Sequence, residues 1–279
     1  MKTYLDCLPC FMDQALRAGR IAGADERKLK ALLDEVGGMM KDISLEATPP
    51  ETARLIYGKI RQITGNRDPY REIKQGNTKM ALALYPFLKG YIEKSADRLL
   101  TAIRIAIAGN VIDFGVNSSF DLETEIDKIL NQPFAICDYD GFRKGLNDTD
   151  DIIYIGDNAG ECVFDRILIE EMKKPTTYFV REVPVINDAV LEDAVEAGID
   201  KVATILSSGT DAPGAVVETC NDEFKEMLAG SNFVIAKGQG NYEALSMRKA
   251  SVFFLLKVKC HVIAHSIGLS TGDIVLKES

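Results

Sequence analysis

The chain has 279 residues, 46% hydrophobic and 27% charged, with a net charge of −9 and a pI of about 4.9. This is the composition of an ordinary globular protein, long enough for two subdomains or for one large α/β domain with an added piece. The acidic balance argues against a nucleic-acid partner, and no apolar run reaches the length that crosses a bilayer. The opening "MKTYLDCLPC" lacks the features of a signal peptide. Six cysteines without a secretory signal are expected to be reduced thiols in a cytoplasm. With two His and no Trp, His-rich zinc sites and a His-based triad start as poor candidates.

In chain order, residues 1–131 read as a helical subdomain. "LDCLPCFMDQALRAGRIAG", "DERKLKALLDEVGGMMKDI", "PPETARLIYGKIRQITG", "DPYREIKQGNTKMALALYPFLKGYIEKS" and "ADRLLTAIRIAIAGNVIDFG" carry apolar residues at three- and four-residue spacing, broken by Gly and Pro. "FDLETEIDKILNQ" continues the pattern. Residues 132–279 read as an α/β subdomain with a mainly parallel sheet in three layers. The strand candidates are "FAICD", "DIIYIG", "TTYFVREVPVI", "KVATILSS", "NFVIAKG" and "CHVIAHSI". Helices are predicted between them, over roughly 159–173, 189–198, 220–228 and 241–246. No internal repeat or low-complexity tract is seen.

Four predicted strands end in polar, glycine-rich turns: Gly156-Asp157-Asn158, Asn187-Asp188, Ser207-Ser208-Gly209-Thr210-Asp211 and Lys237-Gly238-Gln239-Gly240-Asn241. Parallel strands bring such turns to one edge of the sheet. Asp157, Asn158 and Asp188 are hard oxygen donors, suited to Mg²⁺ or Mn²⁺ and poorly suited to zinc. Lys237 is a point charge able to meet a phosphate oxygen, and Gly209, Gly238 and Gly240 would let backbone amides approach an anion. Each has a plainer reading. Asn158 with Glu161 three residues on forms a helical capping-box pattern, Asp188 could cap the next helix, Ser207 and Ser208 could be loop filler, and Lys237 a surface charge. The repetition at four strand ends favours metal-assisted chemistry on a phosphorylated small molecule.

The motifs "GDNAGE", "VPVINDA", "SSGTDAPG" and "AKGQGNYE", in that order, resemble those of the damage-control phosphatase family. "CLPC", "DPYREIK" and "AGNVIDFG" resemble its helical-region signatures, and the N-terminal CxxC is similar to the small stand-alone microbial branch. The resemblance implies a metal-dependent phosphatase acting on small phosphate esters, such as sugar phosphates or damaged phosphometabolites. It implies metal ligands at Asp157, Asn158 and Asp188, with Asp193 one turn on as a competing acid, and a phosphate-binding lysine at Lys237. Asp157 and Lys237 are then the expected catalytic groups; whether water or Asp157 is the nucleophile stays open. Asn110, Asp113, Glu161, Ser208, Gly209, Asp211, Gly238 and Asn241 complete the expected substrate-binding set. The cation is expected to be Mn²⁺, Mg²⁺, Ni²⁺ or Co²⁺, and the partner a small phosphorylated metabolite. The oligomeric state is not set by the sequence.

Three rival readings exist. "FAICDYDG" imitates the aspartyl-nucleophile phosphatases of the haloacid dehalogenase type, with Asp138 as nucleophile and Asp140 as proton handler, but its other motifs come in the wrong order. An S-adenosylmethionine-dependent methyltransferase lacks its expected glycine-rich motif. A non-enzymatic redox or metal module would centre on Cys7 and Cys10, with Cys260 as a further ligand. His261 and His265 are expected in a buried strand. The cysteines are expected to lie far from the sheet edge and to modulate the enzyme rather than catalyse.

Overall fold

The computed structural model describes residues 1–109, 126–248 and 251–279. Five helices open the chain: α1 (Cys7–Ile21), α2 (Glu26–Met39), α3 (Pro49–Thr64), α4 (Arg71–Lys94) and α5 (Arg98–Gly109). The amphipathic faces of α1–α3 close on a core of their own around Phe11, Ala15, Leu32, Val36, Ile56 and Ile60. Helix α3 starts where Pro49 and Pro50, which lack a donor N–H, fill its first positions. There the Glu51 carboxylate accepts from the Thr48 N–H at 2.5 Å.

The remaining elements alternate. They are β1 (Phe134–Cys137), α6 (Tyr139–Asp148), β2 (Ile152–Ile155), α7 (Cys162–Met172), β3 (Thr176–Val180), α8 (Leu191–Glu196), β4 (Thr204–Ser207), α9 (Asp222–Gly230), β5 (Val234–Lys237), α10 (Gly238–Leu245), β6 (Val252–Lys257), α11 (His261–Ile267) and β7 (Ile274–Glu278). The strands form one seven-stranded sheet in the order β1-β7-β6-β5-β2-β3-β4. Strands β2 to β6 are mutually parallel. Strand β7 runs antiparallel to β6, and β1 runs parallel to β7.

Alternation along β2 divides the core. Ile152 and Tyr154 pack on one face with α4, α5 and α7, while Ile153 and Ile155 pack on the other with α9, α10 and α11. Both faces are covered, which gives the expected three-layer α/β/α arrangement. Helices α4 and α5, though early in the chain, share the sheet's core rather than that of α1–α3.

The chain leaves β2 for β3 and β4 on one side, then crosses back to β5 on the other. The crevice beyond the carboxyl ends of β2 and β5 is thus a topological switch point, where open α/β sheets bind ligands. In register, Ile155 pairs with Ala236, so Gly156-Asp157 and Lys237-Gly238 leave the sheet side by side.

The strand list needs three corrections. "CHVIAHSI" is helix α11, closed by Gly268 in the left-handed conformation at φ 70°. Its Val-Ile-Ala run is buried on one side of a short helix and mimics a strand. Strands β6, "VFFLLK", and β7, "IVLKE", were not anticipated.

Candidate active site at the β2–β5 switch point

Strand β2 ends at Ile155, and the chain turns through Gly156, Asp157 and Asn158 into a short 3-10 turn at Ala159–Glu161. Strand β3 ends near Arg181, and its loop returns to the same place. Asn158 and Asp188 form an isolated antiparallel bridge. The Ala189 N–H donates to Asp157 O at 2.8 Å, and the Ala159 N–H to Asn187 O at 2.9 Å. These backbone bonds hold the segments carrying Asp157, Asn158 and Asp188 together. The preceding Ile186 has φ 48°, a strained conformation for a β-branched residue, directly before the Asn187-Asp188 pair.

Asn158 does not cap a helix with its side chain. Its Nδ2 donates to Asp157 Oδ2 at 3.2 Å and to Glu161 Oε1 at 2.5 Å. The amide nitrogen faces two carboxylates, so Oδ1 is the atom turned toward other partners. Asp188 accepts from Arg181 Nε at 2.8 Å. Asp193, the competing acid, is committed elsewhere: it accepts from Lys74 Nζ at 2.9 Å and from the Val190 N–H at 3.0 Å.

Burial raises the Asp157 carboxyl well above its usual range, and the charges of Glu161 and Asp188 push it further. Burial raises Asp188 as well, with Arg181 opposing. Four buried carboxylates (Asp157, Glu161, Asp165 and Asp188) share two buried cations, Lys237 and Arg181. A divalent cation would relieve this crowding of buried acids. The donors are hard oxygens, so Mg²⁺ or Mn²⁺ fits their chemistry. Among the described residues no three His, Cys, Asp or Glu side chains converge as a metal cage, so the set that fits is two acids and an amide.

Asp157, Asn158, Asn187 and Asp188 form one wall of a cleft of about 320 Å³. Pro213, Gln239, Gly240 and Glu243 continue it, and Cys7, Cys10 and Gln14 of α1 stand on another side with Lys259, Cys260 and His261.

The damage-control phosphatase ARMT1-like domain model matches residues 3–275. The chain belongs to that family. A damage-control phosphatase of Pyrococcus horikoshii is 34% identical, with 99% of this chain and 97% of the relative covered. A damage-control phosphatase of Archaeoglobus fulgidus is 32% identical, with 99% of each covered. The crystal structure of a family protein from P. horikoshii superposes with a TM-score of 0.93 at 33% identity, covering 100% of this chain and 99% of that one.

The other described residues of the expected site do not line the cleft. Lys237 is wholly buried, with Nζ 3.1 Å from Glu161 Oε2 and 2.5 Å from Asp165 Oδ1. Asp165 also accepts from the hydroxyls of Tyr154 and Tyr178, each at 2.8 Å. Asn241 uses every hydrogen-bonding position it has. Its Nδ2 donates to Gly156 O and Lys237 O, and its Oδ1 accepts from Arg181 Nη2 and the Ala215 N–H. Ser208 is buried and donates to Val180 O. The Gly209 N–H donates to Ser207 Oγ at 3.1 Å. Asp211 lies between Arg54 and Arg61 of α3, tying the loop after β4 to the helical region. Gly238, at φ 76°, packs against Asp157. Asn110 and Asp113 lie outside the described residues.

Sequence reasoning missed Arg181, Asp165 and Glu243. Arg181 and Asp165 left a signal, an ionisable residue directly after three consecutive mostly apolar ones, in "YFVRE" and "CVFDRIL", whereas Glu243 in "NYEAL" left none. It also misjudged the cysteines, which line the cleft instead of lying far from the sheet edge. Burial raises the Cys7 thiol above its ordinary value, so the helix start does not produce a reactive thiolate. His261 is exposed at the start of α11, with Nε2 3.2 Å from Asp6 Oδ1. Asp138 sits at the opposite edge of the sheet, because β1 runs against β2–β6, and its Oδ2 accepts from the Glu278 N–H. Topology thus separates the aspartyl-nucleophile motif from the cleft.

Proposed function

We propose that the chain is a divalent-metal-dependent phosphatase that hydrolyses small phosphate monoesters. The observation that carries this reading is the Asn158–Asp188 backbone bridge, which fixes Asp157, Asn158 Oδ1 and Asp188 on one wall of a metabolite-sized cleft. Family membership supports the phosphatase activity. Asp157, Asn158 and Asp188 would hold the cation, which when bound supplies a Lewis acid that polarises a phosphoryl group. Lys237 acts through Glu161: its ammonium holds Glu161, which holds the Asn158 amide. Lys237 Nζ is wholly buried between Glu161 and Asp165 and does not line the cleft, so the geometry favours positioning and a fixed positive field over direct contact with phosphate. Arg181 serves Asp188 in the same way, and its Nη1 has no hydrogen-bond partner among the described residues.

The described cysteines are free, and no described helix is long and apolar enough to cross a membrane. A phosphate-release screen over sugar phosphates and other small phosphomonoesters tests the proposal, run in chelator and then with each of Mg²⁺, Mn²⁺, Co²⁺ and Ni²⁺. Release that requires an added divalent ion is expected. Release that continues in chelator, or none with any ion, would overturn the reading.

A further inference from the structure

We propose that Glu243 is the general acid that protonates the leaving-group oxygen of the ester. The inference rests on the phosphatase reading and adds a residue to it. Helix α10 begins against Asp157, where a Cβ on Gly238 would lie 1.8 Å from Asp157 Oδ2. Glu243 lies five residues along, a rise of about 7–8 Å at 1.5 Å per residue. Helical side chains lean back toward the N-terminus, so Glu243 points toward the turn that carries Gln239. Both residues line the cleft, as Asp157 does. A phosphoryl group seated at Asp157 and Asp188 would share this cleft with the Glu243 carboxyl, which stands on the Gln239 face of α10.

The carboxyl is held for this task. Gln239 Nε2 donates to Glu243 Oε1 at 2.9 Å, leaving Oε2 to carry the proton. Burial pushes Glu243 up to about 7, against the opposing effects of Gln239 and the Met1 ammonium. The charged and titratable groups around it are Met1, Cys7 of α1, Glu51 of α3, and Lys259, Cys260 and His261 before and at α11. The other acids of the cleft are engaged otherwise: Asp157 and Asp188 in the oxygen set, and Asp6 with His261. An acid poised near neutrality is what departure of a poor alkoxide leaving group needs.

The step balances without a further reactant. The oxygen of water bonds to phosphorus while the bond from phosphorus to the ester oxygen breaks. The Glu243 proton passes to that oxygen, releasing the alcohol. One proton of the attacking water stays on the product phosphate. The other goes to solvent, from which Glu243 is reprotonated.

The test compares Glu243→Gln with the unaltered protein on alkyl phosphates and on p-nitrophenyl phosphate, whose leaving group needs little protonation. The expected result is a fall in kcat of at least about a hundredfold on alkyl esters, a much smaller fall on the aryl ester, and partial rescue of alkyl turnover by Glu243→Asp. In the unaltered protein, alkyl turnover should decline as pH rises through about 7, and aryl turnover should not. Equal losses on both esters, no loss on either, or identical pH profiles would overturn the role of Glu243 while leaving the phosphatase reading in place. No hydrolysis of either ester by the unaltered protein with any divalent ion would defeat the phosphatase reading itself, and Glu243's role with it.

Discussion

Gly238 stands so close to Asp157 that a single added methyl group would overlap the carboxylate, with Cβ 1.8 Å from Oδ2 and 2.4 Å from Cγ. The left-handed φ of 76° adds backbone strain for any other residue. Gly238→Ala should therefore displace Asp157 or the start of α10. The expected outcome is a loss of at least tenfold in Mn²⁺ affinity by calorimetry and a destabilisation of more than about 1 kcal/mol. Unchanged metal affinity would show that Asp157 does not need this close approach.

Asp157→Asn should separate stability from function. The charged side chain is disfavoured by burial and by its neighbours Glu161 and Asp188. Removing the charge should raise the melting temperature of the metal-free protein, by an amount worth on the order of 1 kcal/mol. It should also abolish the further rise that Mn²⁺ is expected to give the unaltered protein. Melting curves with and without the ion check both halves. A variant that is still stabilised by Mn²⁺ would remove Asp157 from the ligand set.

Lys237→Met should be strongly destabilising, because it leaves Glu161 and Asp165 buried without their cation. Breaking one side of such a pair costs about 3–5 kcal/mol. The double change Lys237→Met with Asp165→Asn should recover part of that loss, since it removes a carboxylate along with the cation. Chemical denaturation of the two single variants and the double variant measures the coupling. Strict additivity would contradict the buried cluster as described.

Much of this site was legible in the sequence, for one reason: parallel strands deliver their carboxyl ends to one edge. Asp157, Asn158 and Asp188 were found that way, and the structure gathers them on one wall. What the pattern could not give is depth. Lys237, Ser208 and Asn241 sit at the same strand ends, yet they are buried behind the wall and spend their hydrogen bonds on the protein. Strand-end position says nothing about which side of a turn faces solvent. The misreading of α11 has another cause: three consecutive apolar residues fit a buried strand or a short helix equally well, and the Gly268 stop signal was the available discriminator. The six-residue run of β6 was a plain signal overlooked. The second wall of the cleft was invisible for a physical reason, since α1 reaches it through packing with α2 and α3.

The cysteines of that wall yield a prediction distinct from the original expectation of remote modulators. Cys7→Ser with Cys10→Ser should retain phosphate release, with kcat within about tenfold, because a thiol raised by burial is not an activated nucleophile. Alkylation of the exposed Cys10 by a bulky maleimide should instead block the unaltered enzyme, and a phosphate ester should protect it. Complete loss of activity in the double variant, in a protein still folded, would place the thiols in the chemistry. Full activity after alkylation would remove them from the substrate's path.

The hydrogen bond between Asp6 and His261 joins positions 255 residues apart, and both line the same cleft. During translation at about 5–20 residues per second, the first of these groups waits on the order of tens of seconds for the second. Until then the strand ends carrying Asp157 and Asp188 have been made, but the nascent chain lacks the part of the cleft formed by Lys259, Cys260 and His261. A chain halted on the ribosome before His261 would therefore carry the oxygen donors of the cleft without one of its sides.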